Sequence, residues 1–163
     1  MSQLSLRTPS GGTINITAED TAVSKTLTLP AGDGDVYNQS NIVGTVSESA
    51  GVPTGAIIES GSNANGEYVK YADGTLMCWQ EWAVESMADY TTREETWTFP
   101  VAYTAAPNVS VTGVRDATEA TKKTSAWPLE NATTTAVGLA CVNDSGTSSD
   151  GVGMSAQAHG FWY

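Results

Sequence analysis

Carboxylates are the first candidates for chemistry in this chain. Glu94 and Glu95 are adjacent, and Asp144 and Asp150 bracket a Ser/Gly-rich loop within NDSGTSSDGVG, residues 143–153. A carboxyl pair flanking a glycosidic bond can divide acid and base roles. Successive strand residues point to opposite faces, however, so Glu94 and Glu95 diverge and read as solvated surface charge. A Ser-His-Asp triad would have to use His159, the sole histidine, which sits in a strand-like segment. The 143–153 loop offers oxygen ligands but lacks EF-hand spacing and its terminal Glu. Capping of the loop by its own Asn, Asp and Ser side chains accounts for it better. Cys78 and Cys141 lie apart in apolar runs, outside any CxxC pair, and read as buried free thiols with no zinc site between them. No phosphate-cradling glycine loop is present. The chain is therefore read as a non-enzyme, without cofactor or metal.

Recognition through aromatic side chains is the alternative. Sugar sites stack a ring on an aromatic face and fix it with a few polar groups. Trp82, Tyr90, Trp127 and His159 are the candidate glycan contacts, with Trp127 in the turn-like segment SAWPLEN. Trp97 reads as core, because TWTF places it two positions from Phe99 on one strand face.

Charge narrows the partners. The net charge is −11, from 18 acidic and 7 basic residues, with no basic stripe to meet a phosphate backbone, so nucleic acid is not an expected partner. No apolar run reaches the ~20 residues of a membrane-spanning helix, so no membrane insertion is expected. The N-terminus lacks the apolar core of a secretory signal.

Positioning falls to strands. Only 15% of the 163 residues are charged, while 40% are apolar, and the polar surface is built from Ser, Thr, Asn and Gly. That balance suits strands and turns over surface helices. LSLR, TINIT and KTLTLP alternate apolar with polar residues before position 31, and no Trp precedes Trp79. Residues 1–54 are read as a small β arm, followed by a larger domain over 55–163. In that domain GAIIES, EYVKY, TLMCWQEW, TWTFPV, NVSVTGV, TTAVGLACVN and MSAQAHGFWY follow one another as short strand candidates. The spacing predicts an all-β fold, an N-terminal arm leading into an antiparallel β-sandwich. MADYTTREE and RDATEATKKTSA read as solvated loops.

Asp73-Gly74 between apolar alternations predicts a two-residue type I′ hairpin. In that register Tyr68 faces Trp79, Val69 faces Cys78, Lys70 faces Met77 and Tyr71 faces Leu76. Val69, Tyr71, Leu76 and Cys78 would then share a core face. Tyr68, Lys70, Met77 and Trp79 would share the other, an amphipathic aromatic surface suited to a subunit interface.

The stretch GAIIESGSNANGEYVKYADGTLMCW resembles the start of the C-terminal domain of bacteriophage tail-fibre and receptor-binding proteins. WTFPVAYTAAPNVSV, residues 97–111, is similar to that family's FP-containing element, and AQAHGFWY to its closing strand. The resemblance spans residues 55–163. It implies an H-type-lectin-like sandwich, a homotrimer, a place on the virion, and binding to a host surface glycan or protein. In such a short chain it implies a short fibre or spike, with residues 1–54 attaching it to other virion proteins of tail or capsid. The alternative is a capsid decoration or head-fibre protein held to the shell by that arm. On the resemblance, Tyr68, Lys70, Met77 and Trp79 become the trimer interface, and the Gly-rich loop before them a hinge between arm and sandwich.

Overall fold

A computed structural model describes residues 3–7, 10–17, 42–115, 124–144 and 150–163. Among these, every element is a strand or turn, and each named strand pairing is antiparallel. The chain divides into two compact units, Met1–Val36 and Tyr37–Tyr163.

In the first unit, β1 (Gln3–Arg7) pairs with β2 (Thr13–Thr17), setting Leu4 opposite Ile16 and Leu6 opposite Ile14. This matches the period-two reading of LSLR and TINIT. KTLTLP lies outside the described residues.

The second unit begins before the expected boundary at 54/55. β3 (Glu48–Ser49) and β4 (Val52–Pro53) form a small hairpin across Ala50-Gly51, whose φ angles of 52° and 80° are both positive, the type I′ requirement. Residues 42–58 are bonded together by their backbones: Ala56 N–H donates to Thr45 O at 2.9 Å and Gly44 N–H to Ile58 O at 2.9 Å. Val46 is buried. Backbone pairing and one buried valine thus tie residues 42–54 to the larger unit, where their sparse apolar content had suggested an arm.

Two sheets build the sandwich. The larger runs β5 (Ile58–Asn63), β6 (Gly66–Tyr71), β7 (Thr75–Met87), β12 (Asp150–Phe161) and β9 (Asn108–Arg115) in spatial order. The smaller runs β10 (Thr124–Pro128), β11 (Ala136–Asn143) and β8 (Thr92–Thr98). Leu76, Cys78, Met154, Ala156 and Ala158 from the first meet Trp97, Val137, Leu139 and Cys141 from the second in one buried cluster. The alternation of each strand delivers these residues to a single side. Edge-to-face contacts then run through the core, Trp82 to Trp97 at 6.0 Å, Trp97 to Phe99 at 4.9 Å and Phe99 to Tyr103 at 5.1 Å, a geometry that sets ring edges against π faces. Trp97 is core, as the sequence predicts.

Residues 125–128 of SAWPLEN belong to strand β10 where a turn was expected, and residues 129–131 lie beyond the strand. Pro128 is tolerated there because β10 is the edge of its sheet, where a missing N–H breaks no ladder. MADYTTREE divides differently too: β7 runs through Met87, residues 88–91 turn, and β8 starts at Thr92.

Candidate functional site

The β6–β7 hairpin decides which side chains can work together. Its register is Glu67 to Trp79, Tyr68 to Cys78, Val69 to Met77 and Lys70 to Leu76, one residue away from the two-residue expectation. Gly74 alone in this turn has positive φ, +93°; its N–H reaches Tyr71 O at 3.1 Å, and Asp73 Oδ1 accepts from Thr75 N–H at 2.9 Å. The loop therefore has three residues, Ala72-Asp73-Gly74, with glycine in the left-handed position. A one-residue slip moves a whole strand to the other face. Tyr68, Lys70, Met77 and Trp79 consequently do not share a face. Tyr68 and Lys70 join Leu76 and Cys78 on the core side, while Met77 and Trp79 join Val69 and Glu67 outside.

On the core side Tyr68 and Lys70 converge on Glu59. The Tyr68 hydroxyl donates to Glu59 Oε1 at 3.0 Å, the Val46 N–H donates to Oε2 at 2.8 Å, and Lys70 Nζ lies 3.4 Å from Oε2. Lys70 also donates to Val46 O at 3.2 Å and sits 4.3 Å over the Trp162 ring. Burial opposes charge on Glu59, but the Val46 amide, the Tyr68 hydroxyl and Lys70 together outweigh it and hold its pKa below the usual glutamate value. The bond to Glu59 raises the Tyr68 hydroxyl, and burial adds to it. These two predicted interface residues thus serve an internal network that fastens residue 46 to the sheet.

The polar loop before the hairpin is not a hinge between units. It turns β5 into β6, with Asn63 opposite Gly66. Asn63 Nδ2 donates to Pro100 O at 3.0 Å and Trp97 Nε1 to Asn65 O at 2.9 Å, tying the turn to the core. Gly66 takes φ +121°, and a β-carbon there would collide with Trp79 O. The Tyr68 ring crosses Gly61 so closely that a β-carbon would lie 2.7 Å from it. The chain's final aromatics clasp the DG turn: Trp162 Nε1 donates to Tyr71 O at 2.9 Å and the Tyr163 hydroxyl to Ala72 O at 2.9 Å.

Two outward faces remain. On the larger sheet, cross-strand pairing lines up Val69, Met77, His159 and Asn108, and beside them Glu67, Trp79, Gln157 and Ser110. Val69, Met77 and Trp79 are half-buried and His159 is exposed, so the row is a flat mixture of apolar and polar side chains. It unites Met77 and Trp79 with His159, which the sequence had assigned to glycan contact. On the smaller sheet, Trp127 pairs with Ala140, Ala140 with Glu94, and Gly138 with Thr96. Here a groove of about 470 Å³ is lined by Glu94, Glu95, Thr96, Leu129, Glu130 and Gly138.

The four glycan candidates are not brought together. Trp82 is half-buried against Trp97 and lines a separate groove of about 370 Å³ with Glu81, Val84 and Val114. Tyr90 is 70% exposed on the 88–91 turn, with φ 55°; its N–H donates to Asn143 O at 2.8 Å, and Asn143 Nδ2 donates to Met87 O at 2.9 Å. Trp127 and His159 lie on the two outward faces just described. Glu94 and Glu95 both border the groove on the smaller sheet, where Glu95 is held by Arg93 at 2.9 Å. Cys78 and Cys141 are buried free thiols, each pushed up in pKa by burial, which suppresses thiolate chemistry. Most of the 143–153 loop lies outside the described residues. Among the described residues no cluster of three His, Cys, Asp or Glu could hold a metal ion.

No family model matches the chain, and no curated protein matches it. Two solved structures share its fold. An N-truncated R1-type pyocin tail fibre aligns at TM-score 0.50 and 22% identity, over 65% of this chain and 88% of its own. A P. aeruginosa R1 pyocin fibre comprising C-terminal residues 323–701 aligns at TM-score 0.52 and 20% identity, over 85% of this chain and 40% of its own. The chain thus has a fold found in tail fibres.

Proposed function

We propose that this chain is a fibre component of a phage or phage-like particle, a short trimeric tail fibre or spike that binds the host cell surface. The fold shared with pyocin tail fibres carries this reading. The motifs behind the sequence resemblance support it, since the GSNANG turn, the DG turn and the terminal FWY pack on one another or on the same core. An H-type-lectin-like sandwich is part of this proposal. So are attachment to the particle through the N-terminal residues within 1–54 and a location on the virion.

In this reading the outer face of the five-stranded sheet, centred on Met77 and Trp79, is the interface between copies. Half-buried aromatic and methionine side chains are the kind enriched at such interfaces. Binding would then be multivalent, and linked weak sites raise avidity by ~10²–10⁴-fold.

Light scattering after size exclusion tests the assembly, with a trimer expected; a monomer at micromolar concentration would refute the fibre reading. Gold-labelled antibody on intact particles tests location. Label at the tail agrees with the proposal, whereas label over the shell supports a capsid decoration or head-fibre role.

A further inference from the structure

We propose that the groove on the outer face of the three-stranded sheet binds an ammonium-bearing saccharide, a non-acetylated amino sugar. This gives the host-attachment reading a specific site and ligand class, and it rests on that reading.

The floor is the first observation. β11 sends Gly138 and Ala140 outward between β10 and β8, and both are buried. Glycine inside a strand is destabilising, and there it often marks a close approach by another molecule. At Gly138 nothing local demands it. An added β-carbon would sit 3.5 Å from Leu129 Cβ and from Glu130 Oε1, ordinary contact distances, and φ lies outside the left-handed region. The missing side chain leaves the groove floor open.

The walls are the second. Leu129 continues the β10 side, its N–H donating to Gly138 O at 2.8 Å. It is 45% exposed, and Trp127, one row along the same face, is 39% exposed. Of the two, Leu129 lines the groove and offers an apolar bank to the C–H face of a sugar ring. Opposite stand Thr96 and Glu94, with Glu130 at the rim. A volume of about 470 Å³ falls within the usual range for small-ligand sites.

Charge selects the ligand. Glu95 is compensated by Arg93, but among the described residues Glu94 and Glu130 form no ion pair. On a chain of net charge −11 an acidic sugar is repelled. A neutral one gains only hydroxyl hydrogen bonds. An amino sugar adds an ammonium group that the Glu94 and Glu130 carboxylates at the groove can bind through charge-assisted hydrogen bonds.

The full chain is titrated by calorimetry with glucosamine, N-acetylglucosamine, glucose and glucuronate. Glucosamine is expected to bind with millimolar affinity that weakens with salt, the neutral sugars more weakly, and glucuronate not at all. Glu94→Gln and Glu130→Gln should each weaken glucosamine about 2- to 5-fold, as for exposed ion pairs. Gly138→Ala should block binding while the variant remains folded by circular dichroism. The proposal is overturned if glucosamine does not bind, if all four sugars bind alike, or if both glutamine variants bind as the parent does. Adhesion of labelled protein to host cells separates the two readings. If the parent and the double glutamine variant adhere equally, the groove proposal falls and host attachment stands. If the parent does not adhere, host attachment falls, and the titration still decides the groove.

Discussion

The two outward sheet faces of the sandwich are built from the same alternation yet offer different surfaces. The larger sheet carries a side chain at every place in its rows, Val69, Met77 and His159 beside Glu67, Trp79 and Gln157. The smaller carries a depression, with Gly138 between Leu129 and Glu130 on one bank and Glu94 and Thr96 on the other. A flat, half-apolar face suits another large flat surface, whereas a recess with carboxylates suits a small polar ligand. Side-chain size at the middle strand makes the difference. β7, the middle strand of the larger sheet, presents Met77 and Trp79 outward where β11 presents Gly138 and Ala140.

The comparison breaks most completely at the core both faces share. Trp97→Ala removes the ring that contacts Trp82 and Phe99 and should cost about 3–5 kcal/mol. Chemical denaturation reads that loss, and both surfaces should fail together. Next comes the flat face alone. Trp79→Glu places a charge at the proposed interface and should weaken assembly by about 2–4 kcal/mol. Light scattering would then show subunits with the parent's circular dichroism, still able to bind glucosamine. If assembly persists, the flat face is not the interface.

Glu59→Gln tests the inner network that took Tyr68 and Lys70 away from that face, with an expected loss of about 1–3 kcal/mol from weakened charged hydrogen bonds. The parent's pH dependence carries the same signature. Glu59 has its folded pKa below the ordinary value, so its stabilisation is fully present above the unfolded glutamate pKa, about 4.3. It disappears as pH falls through the lower folded value. The variant's melting curve should therefore fall less steeply than the parent's below that point. The smallest effect belongs to the groove floor, where Gly138→Ala should raise stability by about 0.4–1 kcal/mol by restricting the unfolded chain. A destabilised variant would mean that Gly138 is needed for folding, against its role as an open floor.

Much of this fold is legible in the residues. Period-two runs mark the main strands of the sandwich, and TWTF assigns Trp97 and Phe99 to one buried face. β10 was hidden because Trp-Pro-Leu-Glu-Asn has the chemistry of a turn, and only its place at a sheet edge makes Pro128 compatible with a strand. The DG hairpin was misregistered for a related reason. Asp-Gly serves both a two-residue loop and a three-residue loop ending in left-handed glycine, and no local preference separates them. Contacts from residue 91 positions away do: Trp162 and Tyr163 hold Tyr71 O and Ala72 O in the wider turn. The Glu59 network lies within residues 46–70 but depends on the register of β5, β6 and β7, and the Gly138 groove gathers β8 with the distant β10–β11 segment.

The sequence by itself determined the all-β class, the identity of most strands and the aromatic core, because side-chain alternation and turn chemistry are local properties of the chain. Tertiary structure decided which face each hairpin residue occupies, where residues 42–54 belong, and which aromatics share a surface. Those outcomes depend on register and on long-range contacts. A shift of one residue in register leaves the local pattern unchanged and reverses every side chain on the strand.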